Sequence, residues 1–228
     1  MLVVFDVDDT LVDHSGAASQ AALLLIRRYG AVLPYADDEF VGLWHDAADR
    51  HFAAYNAGEC SYQEQRRRRI RDFFGGDLTD QEADNLFAVY LVGYERFWAL
   101  FRDVLPCLDA LDGRRLAIIS NNHSEPTRLK LARTGIEQRF EDVVTPDVAG
   151  VSKPDAGIFD ATCARLDVEP AACVYVGDKL DSDARAAQAA GWRGIWLDRS
   201  GTGTPLSDGI MAIHDLTALP HVLSNGRS

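Results

Sequence analysis

Two short acidic segments, far apart in a chain of 228 residues, carry the groups best suited to chemistry: Asp6-Val7-Asp8-Asp9-Thr10, and Gly177-Asp178-Lys179-Leu180-Asp181-Ser182-Asp183. Each follows a short apolar run that reads as a buried strand. Residues two apart share a face while strand geometry lasts, so Asp6 and Asp8 point into one site. An acidic loop that caps the next element would account for one such carboxylate, but poorly for three in a strand-end turn. Asp178 and Asp183 add further acids. At about 4 Å and an effective dielectric of about 20, each like-charge pair costs about 4 kcal/mol, so a divalent, oxygen-seeking cation is the natural compensation. Mg²⁺ suits this donor set, because it takes carboxylates, retains waters and is bridged by a substrate phosphate.

Two further segments offer groups for an anion. Lys153, in Ser152-Lys153-Pro154-Asp155, is biased to extended backbone by the proline and can aim its ammonium at the carboxylates. Ser120-Asn121-Asn122 follows the apolar run Leu116–Ile119 and supplies hydroxyl, amide and backbone donors near a helix start. Alone, the lysine is a surface residue and the serine a cap. Together with the acids they outline a site for an anionic oxygen beside a metal.

The elements that must position these groups are legible as alternating runs. Leu2–Asp6, Leu116–Ser120, Val143–Thr145, Cys173–Asp178 and Gly194–Leu197 read as strands. Helices are expected from Ser124 to Gly135, from Pro154 to Leu166, and from Ser182 to Ala190 before Gly191. Continuous apolar strands alternating with helices imply right-handed crossovers and a parallel sheet covered on both faces. Ligands of such sheets sit beyond the carboxyl ends of the strands, where Asp6, Ser120 and Asp178 fall. The stretch from about 14 to 100 is different, rich in Ala, Arg, aromatic residues and acids with helical spacing, and reads as an all-helical insertion. Its aromatic clusters, including Trp44 and Phe97–Trp98, are expected as core packing. Arg66, Arg67, Arg68, Arg69 and Arg71 form a dense basic run on one helix. Salt bridging is the expectation for most of them, while one or two, with Tyr62, Trp44 and His51, are candidates to bind a polar ligand.

Composition bounds the partners. Lys and Arg number 23 against 35 Asp and Glu, giving a formal charge of -12 that repels nucleic-acid polymers and anionic membranes. No apolar run approaches the roughly 20 residues of a membrane span. Cys60, Cys107, Cys163 and Cys173 lack metal-ligand spacing, which together with an N-terminus without leader character points to reduced thiols and the cytoplasm. Assembly as a homodimer is left open.

The order and spacing of the four segments resemble the haloacid dehalogenase-like hydrolase superfamily. Asp-x-Asp-x-Thr is matched by Asp6, Asp8 and Thr10, the Ser/Thr after a second strand by Ser120, Lys-Pro by Lys153, and Gly-Asp-x4-Asp by Gly177, Asp178 and Asp183. The family's usual glycine after the second aspartate is Asp9 here. The resemblance implies an α/β fold, a Rossmann-like three-layer core with a parallel sheet and an inserted all-helical cap domain, with residues 1–13 and 103–228 as catalytic core and 14–102 as cap. It implies phosphate-ester hydrolysis, with Asp6 as nucleophile, Asp8 as general acid and base, and Ser120, Asn121 and Lys153 on the phosphate. Mg²⁺ would be held by Asp6, the Asp8 backbone carbonyl and Asp178, with Asp183 a ligand or an orienting partner. The substrate would be a small phosphorylated metabolite such as a sugar phosphate, phosphoglycolate, flavin phosphate or nucleoside monophosphate. A phosphomutase, a 2-haloacid dehalogenase and a non-enzymatic phosphate-responsive module are the alternatives. A lid hinged at residues 12–16 and 102–108 is a further expectation.

Overall fold

The computed structural model describes residues 1–201, 203, 206 and 208–225; residues 202, 204, 205, 207 and 226–228 of the expected core span lie outside them. Six strands, β1 (Leu2–Phe5), β2 (Arg115–Ile119), β3 (Val143–Val144), β4 (Cys173–Gly177), β5 (Arg193–Leu197) and β6 (Met211–Ile213), form one sheet in the order β3-β2-β1-β4-β5-β6. Every neighbouring pair is parallel. This is the doubly wound order whose ligand crevice opens beyond the carboxyl ends of the central strands. Phe5 is in register with Ile118 on one side and Val176 on the other. The residues just past these three strand ends therefore meet on one rim.

Leu2, Val4, Ala117, Ile119, Phe159, Tyr175 and Trp192 form one apolar cluster. Val3, Phe5, Ile118 and Val176, which point the other way, are buried as well. Burial on both faces explains why the strands read as unbroken apolar runs rather than alternating ones. The helices of this unit are α5 (Val104–Ala110), α6 (Ser124–Arg133), α7 (Pro146–Ala149), α8 (Gly157–Leu166), α9 (Ala186–Ala189) and α10 (Leu219–Asn225).

Several boundaries differ from expectation for local reasons. His123, not Ser124, is the N-cap of α6, because the Ser124 hydroxyl bonds to Asp147. Helix α8 starts at Gly157 rather than Pro154, since the Asp155 carboxylate accepts the Gly157 N–H in a turn. The helix expected from Ser182 is a π-helix, Leu180–Arg185, running into α9. Strand β6 was not expected, its three residues being too few to show a period.

The chain divides into two compact units, residues 1–13 with 99–228, and residues 14–98. Residues 99–102, expected in the insertion, belong with the sheet. The Asp13 N–H donates to the Ala99 carbonyl, the Phe101 N–H to that of Leu11, and Val12 bridges Leu100. A short two-stranded ribbon thus closes the base of the insertion.

The second unit is helical: α1 (His14–Tyr29), α2 (Asp37–Asn56), α3 (Tyr62–Phe74) and α4 (Asp80–Arg96). Helix α1 packs against α2 and α4, and α3 against the same two. Ala17, Ala18, Ala21 and Ala22 give α1 a face of small residues, and Gly93 of α4 packs on α1, where an added Cβ would meet Leu24 Cδ1 at 3.3 Å and the Ala21 Cβ at 3.5 Å. Phe40, Trp44, Ile70, Phe87 and Tyr90 fill the centre. Ser61 caps α3, and Thr79 with Glu82 forms a capping box on α4.

One glycine of the sheet is sterically obligatory. A Cβ on Gly194 in β5 would stand 2.0 Å from the Ala184 carbonyl oxygen and 2.7 Å from its carbon, both backbone atoms of the π-helix. Gly194→Ala is expected to destabilise the protein by about 3 kcal/mol or more by urea denaturation, whereas an alanine at the solvent-facing Gly42 of α2, where no atom lies within 4 Å, should be neutral or mildly stabilising.

Candidate active site

The rim collects the side chains that the sequence singles out. Asp6 follows β1 directly, and its N–H donates to the Val176 carbonyl at 2.9 Å, extending the pairing of β1 with β4 by one residue. Asp178 follows β4; its N–H donates to the Thr10 hydroxyl oxygen at 3.0 Å, and its carbonyl accepts the Trp196 indole N–H at 2.9 Å. Thr10 thus ties the first acidic loop to the second. Asp183 is carried back to the same place by the first turn of the π-helix, where its N–H donates to the Lys179 carbonyl at 3.0 Å. Carboxylate oxygens of Asp6, Asp178 and Asp183 all lie within 4.8 Å of one another.

Lys153 sits among them, buried. Its ammonium donates to Asp6 Oδ1, Asp183 Oδ1 and the Tyr175 hydroxyl, each at 2.7 Å. An ammonium has three protons to give, and all three go to protein acceptors. In this structure Lys153 pins the carboxylates of Asp6 and Asp183. The Tyr175 hydroxyl passes its own proton to the Ile119 carbonyl at 3.0 Å.

Asp183 is equally committed, its Oδ2 accepting the Lys179 N–H at 2.9 Å. The glycine of the Gly-Asp pair is explained by this contact, since a Cβ on Gly177 would fall 2.3 Å from that Oδ2. Asn121 faces Lys153 through two 2.8 Å bonds, its amide donating to the Lys153 carbonyl and its carbonyl oxygen accepting the Lys153 N–H. The Asn121 side chain thus clamps the Lys153 loop to the end of β2. The Ser120 hydroxyl is buried and accepts the Asn122 N–H at 3.1 Å. Asp9 has φ +59°, the left-handed conformation that aspartate tolerates better than most residues, so a position suited to glycine is kept here by an acid. Asp181 lies outside the cluster and pairs with Arg185 at 2.7 Å.

The Asp8 side chain is not one of the three clustered acids. It pairs with the ammonium of Lys130, whose side chain is 1% exposed. Sequence reasoning missed this lysine. The available signal was its place on the buried face of α6 with Thr127 and Leu131, where an unpaired lysine would be costly.

The electrostatics are those of a cluster short of positive charge. Burial pushes the Asp6 carboxyl up; Lys153 pulls it down, and Asp183, Asp178 and Asp8 push it up again, to about 8. Burial also raises Asp178, against Lys179 and with Asp183 and Asp9, to about 6. Lys153 shows the converse: burial works against its charge, but Asp183 and Asp6 outweigh that and hold it well above its ordinary range. Buried, oxygen-only, closely spaced donors of this kind fit a hard divalent cation such as Mg²⁺.

Residues 1–191 match the family described as haloacid dehalogenase-like hydrolase. The chain belongs to that family. Glyceraldehyde 3-phosphate phosphatase from Methanothermobacter thermautotrophicus is 30% identical over 210 residues, covering 86% of this chain and 84% of its own. A magnesium-bound hydrolase of the family from Bacillus subtilis superposes with a TM-score of 0.78 at 22% identity over 97% of both chains. A 2-haloacid dehalogenase from Pseudomonas syringae gives 0.73 at 28% identity over 98% of both. The fold is therefore the Rossmann-like α/β fold of these hydrolases.

A carboxyl whose folded value is raised binds more protons in the folded than in the unfolded state, so its contribution to stability is lost as pH rises through the folded value. With EDTA present, the melting temperature should fall from about pH 5 to about pH 8, first through Asp178 and then through Asp6. Asp6→Asn should flatten the upper part of that slope. A profile identical in the two proteins would remove Asp6 as its source.

Proposed function

We propose that this chain is a Mg²⁺-dependent phosphatase of small phosphorylated metabolites that works through an aspartyl-phosphate on Asp6. One observation carries the reading: Asp6, Asp178 and Asp183 converge within 4.8 Å around an ammonium that fixes the orientation of Asp6. With Oδ1 bound to Lys153, Oδ2 of Asp6 is the oxygen left to attack phosphorus, which splits one difficult displacement into two easier ones. The carboxylates of Asp6 and Asp178 and the backbone carbonyl of Asp8 would hold Mg²⁺, which would supply positive charge toward the phosphoryl oxygens. Asp183 keeps Lys153 and the Asp178 turn in place, both of its oxygens being engaged. Ser120 and the backbone at Asn121 grip the phosphate at the start of the segment leading into α6.

Asp8 protonates the departing alkoxide and then takes a proton from the water that hydrolyses the aspartyl-phosphate. Asp8 lies outside the group of three and pairs with Lys130, which holds its side chain in place and favours the carboxylate form that takes the proton from water. The need for proton transfer speaks against dehalogenation, because a halide leaves without a proton. A phosphomutase would use the same aspartates but return the phosphoryl group to its substrate, releasing no inorganic phosphate. A silent phosphate-responsive module would leave this charge arrangement without a use. The phosphatase named above supports the ester class, and the helical unit, as cap, is the natural seat of substrate choice.

A phosphate-release screen over metabolite esters, with Mg²⁺ or with EDTA, tests the proposal. Activity should appear only with Mg²⁺, and Asp6→Asn should stay folded and lose at least about a thousandfold in kcat; equal rates in the two proteins would overturn it. Lys130→Met should lower kcat on alkyl phosphates by about tenfold or more but spare p-nitrophenyl phosphate, whose leaving group needs little protonation. Equal losses on both would dissociate Lys130 from proton transfer.

A further inference from the structure

Helix α3 carries five arginines that are not equivalent. Arg67 pairs with Asp84 at 2.7 Å and Asp80 at 2.5 Å, Arg71 with Asp80 at 2.5 Å and Glu64 at 3.3 Å, and Arg68 with Glu64 at 3.5 Å. Arg66 and Arg69, one turn apart and so on one face, pair with no carboxylate among the described residues. Both lie on aromatic rings instead. The Arg66 guanidinium is 4.4 Å from the Tyr62 ring centre and 5.1 Å from that of Phe87, and it donates to the Tyr62 hydroxyl at 2.9 Å. That of Arg69 is 4.9 Å from Trp44, 5.0 Å from Phe87 and 5.3 Å from Tyr90.

Two cations thus share one ring, Phe87, without a counter-charge. The Arg69 Nε is cut off from solvent and has no hydrogen-bond partner, and the indole nitrogen of Trp44, itself fully buried, has none either. Burial and the neighbouring Arg66 both work against the charge of Arg69, which is lowered from its ordinary range. Aromatic faces return about 2 kcal/mol to a desolvated cation, whereas removing such an ion from water costs several kcal/mol. In a chain with 35 acidic residues, three of them neutralising the other arginines of this helix, the missing counter-ion is a specific feature of this spot.

We propose that Arg66 and Arg69, with the indole N–H of Trp44, form an anion site within the helical unit that takes a carboxylate or phosphate group of a small molecule. Planar guanidinium forks suit the two oxygens of such a group, and the rings of Tyr62, Phe87 and Tyr90 exclude water around it. Every residue of the site belongs to the helical unit, and its existence does not depend on the proposed reaction.

The test follows the arginine Nε–H and indole resonances of the full-length protein in EDTA, titrated with inorganic phosphate and, separately, with malonate. Arg69, assigned by its loss in Arg69→Met, and Trp44, assigned by Trp44→Phe, should shift saturably with at least one anion. Arg66→Met, which removes the outer guanidinium and keeps the stem, should weaken that binding about tenfold. No saturable shift with either anion, or a titration unchanged in Arg66→Met, would overturn the proposal and leave the rings as packing alone. Kinetics then separate two sources of a bound anion. A KM raised by Arg66→Met only for phosphate esters bearing a second anionic group assigns the ligand to the substrate. Unchanged KM values with the titration lost assign it to a separate metabolite. Binding measured in Asp6→Asn keeps the site testable even if no phosphatase activity is found.

Discussion

The ammonium of Lys153 is the interaction on which the rest of the site depends. It joins the end of β1 through Asp6, the middle of β4 through Tyr175 and the π-helix through Asp183, and Asn121 fixes its backbone to the end of β2. Without that cation, two buried carboxylates would face each other across a few ångströms, an arrangement costing several kcal/mol. One positive charge cannot neutralise three acids, however, and burial, reinforced by the neighbouring acids, raises the Asp6 and Asp178 carboxyls. The demand for Lys153 and the fit of the cluster to a further cation are therefore two consequences of the same crowding of acids.

The sheet makes such a concentration of charge feasible. Its central strands are buried on both faces and locked in parallel register, so the residues immediately beyond them have little freedom to move apart. Thr10 and Asn121 reinforce this with bonds from one loop to the next. Arg199 adds a third tie, donating to the Thr10 carbonyl at 2.7 Å and to both oxygens of the buried Asp103 at 2.8 and 3.1 Å. The acids are held by a rigid frame whose stability comes from apolar packing elsewhere.

Much of this is legible in the amino-acid sequence, because strand-end acids, the Lys-Pro pair and the Gly-Asp segment are local patterns with fixed chemistry. The central strands could be read for the same reason: four or five consecutive apolar residues leave few alternatives. What could not be read depends on partners distant in the chain. Tyr175 looks like one more core aromatic until Lys153 is placed beside it. Lys130 looks like a surface lysine until α6 is docked with that face inward, 122 residues along the chain from its partner. The arginines of α3 are indistinguishable as a run, and the positions of Glu64 on the same helix and of Asp80 and Asp84 on the next divide them into neutralised and unneutralised sets. The π-helix follows from the demand that Asp183 reach back over Gly177, a constraint with no signature in propensity.

The ribbon formed by residues 11–13 and 99–101 has an evolutionary corollary. Both strands of chain leaving the sheet are stitched together before the helices begin, so the catalytic half closes its own backbone circuit there. Whatever is spliced between those stitches can lengthen, shrink or be exchanged over generations while the acids at the strand ends keep their alignment. A lineage built on this plan can therefore remodel a single continuous stretch of its gene without disturbing the frame that aligns those acids.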